Sequence, residues 1–231
     1  MAPTVVFDLD GTLVDTAPDL VATLNTIFAR EGLPPVTYEA ARNMVGGGAR
    51  LMVERGLAAE RRTLPAAEVD RLCRDFIDHY AAHIADRSRP FPGLEAALDE
   101  LAANGLSLIV CTNKLEWLSV RLLDALDLSK RFAVICGADT FGLKKPDPEL
   151  LRRTLGRAGR RADRAVMVGD SANDIDMARA AGVPVVAVDF GYTEIPIGEL
   201  SADRVISTFR DLPKAVLGLL DDPIGSRAET S

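Results

Sequence analysis

The chain has 231 residues, 48% of them hydrophobic and 26% charged, with a formal net charge of −7. That length buries a substantial core, as one large domain or as a core with an insertion, and the acidic balance excludes a broad binder of nucleic acid or membrane surfaces. No apolar run reaches the 18 residues of a membrane-spanning helix, and Met1-Ala2-Pro3 leads into a strand without a basic or apolar leader pattern, so the expectation is a cytoplasmic protein with no membrane or nucleic-acid partner.

The first apolar run, Thr4-Val5-Val6-Phe7, is β-branched and aromatic and ends abruptly in Asp8-Leu9-Asp10-Gly11-Thr12. This is the pattern of a short buried strand that delivers two carboxylates to one sheet edge. Side chains alternate along an extended chain, so Asp8 and Asp10 point the same way, where both can serve one cation or one substrate. A turn that merely opens a loop explains Gly11 but not two like charges beside a buried strand. The periodicity then becomes helical. Leu20, Leu24, Ile27 and Phe28 share one face behind a Thr16/Asp19 start signal, and Gly32, Pro34 and Pro35 end that helix. Shorter helical stretches follow at 38–44 and 50–56, and a long amphipathic one carries Val69, Leu72, Cys73, Phe76, Ile77 and Tyr80. No strand is readable in 16–88, which predicts an all-helical cap inserted into a core made of 1–15 and 89–231.

Within the insert, His79 and His83 stand at a spacing that can bind zinc, but no third ligand accompanies them, and the exposed edge of a helix is the plainer reading. Gly46-Gly47-Gly48 followed by Arg50 lets backbone N–H groups approach a small anionic ligand. Gly47 and Arg50 are therefore the candidate substrate contacts of the cap, although a loop that only joins two helices accounts for the same residues.

From residue 90 strands and helices alternate, with strands at 106–111, 132–136, 165–168, 183–188 and 204–206. Helices are expected near 93–104, 115–127, 147–158, 173–181 and 210–221. The alternation predicts a doubly wound, mostly parallel Rossmann-like α/β sheet covered on both faces, and the polar tail 221–231 is expected to fray. Cys73, Cys111 and Cys136 form no C-x-x-C pair and read as buried thiols in a reducing compartment. Trp117 and Tyr192 read as packing residues, and the basic residues of 152–164 as a solvated helix and loop. Ligands of such sheets bind beyond the carboxyl ends of the strands. There stand Thr112-Asn113-Lys114, Lys144-Lys145-Pro146-Asp147-Pro148 and Gly169-Asp170-Ser171-Ala172-Asn173-Asp174. Singly these are a helix cap, a solvated loop and an Asx turn; together, at successive strand ends, they point to one site.

In this order, D-x-D-G-T at 8–12, Thr112, Lys145 before a proline and G-D-S-x-x-D at 169–174 resemble the haloacid dehalogenase-like hydrolase superfamily, specifically its phosphatases. The helical insertion, the segment 44–49 and Phe190-Gly191-Tyr192 are similar to the phosphoglycolate phosphatase-like subclass. The resemblance implies Asp8 as nucleophile, an aspartyl-phosphate intermediate, and Asp10 as the acid that protonates the leaving oxygen and the base that then activates water. A carboxylate suits this task because it is ionised at neutral pH without help. The resemblance also implies Mg²⁺, held by the carboxylates of Asp8 and Asp170, the main-chain carbonyl of Asp10, and Asp174 through a ligand or water. Mg²⁺ prefers about six oxygen ligands. Thr112 and the main-chain N–H groups around Asn113 are expected to grip the phosphoryl oxygens, and Lys145 to neutralise charge between Asp8 and phosphate. Lys144 is the alternative that Pro146 disfavours. Four ionised acids exceed the charge of one Mg²⁺ and one lysine by a single unit, which a protonated Asp10 cancels.

The expected function is a Mg²⁺-dependent phosphatase of a small phosphate monoester, 2-phosphoglycolate first. N-acetylmuramic acid 6-phosphate, a sugar phosphate, a nucleotide and pyrophosphate are the alternative substrates, and a sugar-phosphate mutase the alternative reaction. The complete acid set disfavours a non-enzymatic phospho-ligand module. A dehalogenase lacks, by resemblance, the second acid that Asp10 supplies. A phosphonatase needs a cap lysine, and 16–88 contains none. Monomer and homodimer are both open. If Arg50 reads the substrate, Arg50→Ala lowers kcat/KM for phosphoglycolate more than for an aryl phosphate.

Overall fold

The computed structural model of the chain describes residues 2–193 and 195–221. Strand β1 (Thr4–Phe7) lies in the middle of a six-stranded sheet of order β5-β4-β1-β6-β7-β8. Strands β4 (Ser107–Cys111) and β5 (Val134–Cys136) lie on one side of it, and β6 (Ala165–Gly169), β7 (Val185–Val188) and β8 (Arg204–Ile206) on the other. Every pairing in this sheet is parallel, and Phe7 stands level with Val110 and Val168, so the carboxyl ends of β1, β4 and β6 open on one edge.

Alternation along these buried strands divides the core between two faces. Val5, Phe7, Val110 and Val168 pack on the side of α5 (Leu94–Ala103), α6 (Glu116–Ala125) and α9 (Leu212–Asp221). Val6, Ile109, Cys111 and Met167 pack against α7 (Pro148–Arg157) and α8 (Ala172–Ala181). Three strands begin later than their apolar runs. The amides of Leu106, Phe132 and Val183 bond to Leu101, Ser129 and Ala178, closing the preceding helical turns rather than joining the sheet. The tail expected to fray lies, apart from Asp221, outside the described residues.

The insert is helical as expected, with α1 (Ala17–Arg30), α2 (Tyr38–Arg42), α3 (Ala49–Ala59) and α4 (Ala66–Ala82). Leu24, Phe28, Phe76 and Tyr80 are part of its buried core. Its two crossings to the sheet domain run side by side as an antiparallel ribbon of β2 (Val14–Asp15) and β3 (Arg89–Pro90). Two residues per strand leave no periodicity to read, which is why this ribbon escapes a sequence pattern. The Thr16/Asp19 signal falls where α1 starts, with Thr16 at the cap and Asp19 in the first turn, but neither side chain caps the helix. Thr16 caps α1 with no side-chain hydrogen bond of its own and instead donates to Asp10 Oδ1 at 2.8 Å. Asp19, buried, accepts from the amides of Arg87 and Ser88 and from the Ser88 hydroxyl. Both side chains serve contacts distant in sequence. Trp117 is 45% exposed rather than packed. His83 pairs with Asp86 on an exposed helix end, and the acids at 8, 170 and 174 form the only possible metal group among the described residues. All three cysteines are buried and free, and no helix of the described residues is long and apolar enough to cross a membrane.

Candidate active site

The Asp8 amide donates to Val168 O at 2.9 Å, carrying the parallel pairing one residue past β1 and setting this carboxylate beside the end of β6. At that end Asp170 and, one helical turn on, Asp174 complete a group whose carboxylate oxygens lie within 4.8 Å of one another. Asp8, Asp170 and Asp174 are 4%, 3% and 0% exposed. Each acid is fastened. Asp170 accepts from the Thr12 hydroxyl (2.8 Å) and the Tyr192 amide (2.7 Å). Asp174 completes a capping box at the start of α8, accepting from Ser171 N and Oγ, and its other oxygen accepts from Lys145 Nζ at 2.7 Å. Glycines make room for this crowding. A Cβ at Gly191 would stand 2.2 Å from Asp170 Cβ, and one at Gly169 would stand 2.4 Å from Asp174 Cβ.

Lys145 enters from the loop after β5 and reaches Asp8 Oδ1 at 2.6 Å as well as Asp174, while Lys144 is solvent-exposed. The choice between the two lysines thus falls where Pro146 places it. Burial disfavours the Lys145 ammonium, but Asp174 and Asp8 outweigh it and hold its pKa above the usual lysine range. Burial pushes the Asp8 carboxyl up to about 6 against the pull of Lys145. Burial together with the charges of Asp174 and Asp8 pushes Asp170 up to about 8. Three buried acids against one ammonium are short of positive charge. An all-oxygen donor set of this kind fits a hard divalent cation.

Asp10 is not one of that trio. Its carboxylate accepts from Thr16 and, through both oxygens, from Lys114 Nζ at 2.9 and 3.0 Å. Sequence reasoning passed over Lys114, although its place directly after Thr112-Asn113 at a strand end was the available signal. Its presence also corrects the charge count: with two lysines the four acids and one divalent cation balance while Asp10 is ionised.

Thr112 is buried at the end of β4, with its amide bonded to Cys136 O and its hydroxyl accepting from Lys114 N. The Asn113 side chain is a clamp. It accepts from Lys145 N at 2.8 Å and donates to Gly46 O of the cap at 3.2 Å. Arg42 of α2 also reaches the core, donating to Phe190 O and Gly191 O. Tyr192 does more than pack: its hydroxyl accepts from Ala17 N and bonds Asp15 at the ribbon.

The expected cap contacts fare differently. Gly46 and Gly48, both with positive φ, border the cavity between cap and core, whereas Gly47 lies against the Leu51 side chain. Arg50 borders the same cavity, but its guanidinium is engaged by Glu54 and Asp70 and its side chain is 49% exposed.

The family model of the haloacid dehalogenase-like hydrolases matches residues 5–188. A phosphoglycolate phosphatase of Caulobacter vibrioides is 52% identical over 217 residues, covering 94% of this chain and 92% of that protein. One of Mesorhizobium japonicum is 51% identical over 207 residues, covering 90% and 91%. The crystal structure of a predicted phosphoglycolate phosphatase from Haemophilus somnus superposes with a TM-score of 0.87 at 30% identity, over 93% of this chain and 97% of that one.

Proposed function

The chain belongs to the haloacid dehalogenase-like hydrolases, and we propose that it is a Mg²⁺-dependent phosphatase converting 2-phosphoglycolate to glycolate and inorganic phosphate. The observation that carries this reading is the buried set of Asp8, Asp170 and Asp174 facing Lys145, with Asp10 beside it. The phosphoglycolate phosphatases that match over nine-tenths of the chain support the substrate.

Asp8 and Asp170, with Asp174 and the main-chain carbonyl of Asp10, would hold Mg²⁺, whose charge lets a carboxylate meet a phosphate dianion. An Asp8 oxygen attacks phosphorus, the bond from phosphorus to the glycolate oxygen breaks, and that oxygen takes a proton from Asp10. Asp10, now ionised, removes a proton from water as the water oxygen attacks the aspartyl-phosphate. The bond to Asp8 breaks and inorganic phosphate leaves. Thr112 and the Asn113 main chain position the phosphoryl oxygens, and Lys145 offsets the charge between Asp8 and the phosphate. Lys114 bonds both Asp10 oxygens and holds that carboxyl in place. The site is complete within one chain, compatible with a monomer or a homodimer, and three unpaired buried thiols fit a cytoplasmic setting.

The test is a panel of phosphate esters assayed with Mg²⁺ and ranked by kcat/KM, with Asp8→Asn as the blank. 2-Phosphoglycolate is expected at the top with stoichiometric phosphate release. Another ester ranked above it overturns the substrate, and interconversion of sugar phosphates without free phosphate makes the protein a mutase.

A further inference from the structure

We propose that Lys114 and Tyr80 form the subsite for the carboxylate end of the substrate, an inference that rests on the 2-phosphoglycolate reading. A cavity of about 250 Å³ separates cap and core, and its lining includes Asp10, Asn113 and Lys114 from the core and Phe76 and Tyr80 from the cap. Three cationic side chains border it. Arg50 is held by Glu54 and Asp70 on an exposed face, and Lys144 is exposed. Lys114, with its side chain 5% exposed, is the enclosed one.

Two observations show that this corner has hydrogen-bonding capacity to spare. An ammonium carries three donors, and the two Asp10 oxygens take two of those of Lys114. The Tyr80 hydroxyl, on a residue 1% exposed, is buried beside Lys114 with no acceptor for its own proton, and its ring lies 4.5 Å from Lys114 Nζ. A buried hydroxyl left unpaired is costly, and an acceptor arriving with a ligand removes that cost.

Substrate stereochemistry brings the acceptor to this place. In 2-phosphoglycolate one methylene separates the ester oxygen from the carboxylate. Once that oxygen is seated against Asp10, the carboxylate lies beside the group already bonded to Asp10, which is Lys114. The apolar neighbours Leu20, Met52 and Phe76 lower the polarity around the bound carboxylate and strengthen the charge–charge contact. Lys114 comes from the core and Tyr80 from α4, so core and cap each supply one donor to the ligand.

The test compares 2-phosphoglycolate with ethyl phosphate, the same ester with a methyl group in place of the carboxylate. Lys114→Met is expected to lower the kcat/KM ratio of the two by roughly tenfold to a hundredfold, mostly through KM. Tyr80→Phe, which leaves the Lys114–Asp10 pair in place, is expected to lower the ratio about threefold to tenfold, and it keeps the proposal testable should Lys114→Met fail to fold. Calorimetric titration of 2-phosphoglycolate into Asp8→Asn, with and without Tyr80→Phe, should show the same loss in binding alone. An unchanged ratio in Tyr80→Phe, or an equal fall on both esters in a folded Lys114→Met, overturns the subsite and makes Lys114 a positioning residue for Asp10. A wild-type protein with no preference for 2-phosphoglycolate overturns the functional reading and the subsite together. That failure is told apart because it appears before any substitution.

Discussion

At Asp170 the proposed cation site depends on what each neighbour lacks or lends. Gly11, at φ +83°, and Gly191 leave the room in which its carboxyl sits, and Thr12 and the Tyr192 amide aim its oxygens. Burial that lifts Asp8 to about 6 and Asp170 to about 8 makes this corner a source of stability or of strain according to whether a cation is present. Without one, the folded acids keep protons that the unfolded chain releases near the ordinary aspartate value of about 4. The metal-free protein is therefore expected to lose stability as pH rises from about 4 to about 8. Mg²⁺ reverses this: at about a hundred times its Kd it adds roughly 2.7 kcal/mol, a rise that thermal unfolding with and without chelator will read and that Asp170→Asn should abolish. Residue type and spacing placed Asp8, Asp10, Lys145, Asp170 and Asp174 beyond strand ends, and the family resemblance supplied the roles expected of them and the choice of Lys145 over Lys144. Lys114 and Tyr192 were not legible in the sequence, since their roles lie in contacts with groups far along the chain.

Among the elements, periodicity located every strand of the six-stranded sheet and every α-helix of the described residues, and erred where hydrogen bonds rather than hydrophobicity decide an end. Leu106, Phe132 and Val183 are apolar enough for a strand, yet their amides close the turns that come before. Thr16 and Asp19 match a local helix-start signal, but a side-chain oxygen has no preference for a near partner over a far one once folding brings the far one close. Asp19 shows how much such a contact carries. With one buried carboxylate it pins the return of the chain at Arg87 and Ser88, at the foot of the ribbon that joins cap and core. Asp19→Ala orphans three donors and is expected to cost about 2–4 kcal/mol. Urea unfolding should show the shift in midpoint, while kcat measured well below the transition stays within about twofold, because Asp19 touches no reacting group.

On the scale of the whole molecule, the sheet order sets Asp8, the proposed nucleophile, beside the central strand. Strand β1 has β4 on one flank and β6 on the other, with a layer of helices over each face. The cap is tied to this core by the short ribbon and by polar contacts from Arg42 and Asn113. Opening the cap therefore leaves the sheet intact, while releasing β1 requires dismantling both halves of the sheet. Amide exchange should mark the difference, with the amides of residues 5–7 exchanging only at the rate of global unfolding and those of α2 orders of magnitude sooner. With Asp8 as the attacking group, heat or denaturant would take that carboxylate out of service only when the β-framework gives way, whereas an opened cap would leave it in place and impair substrate contact alone.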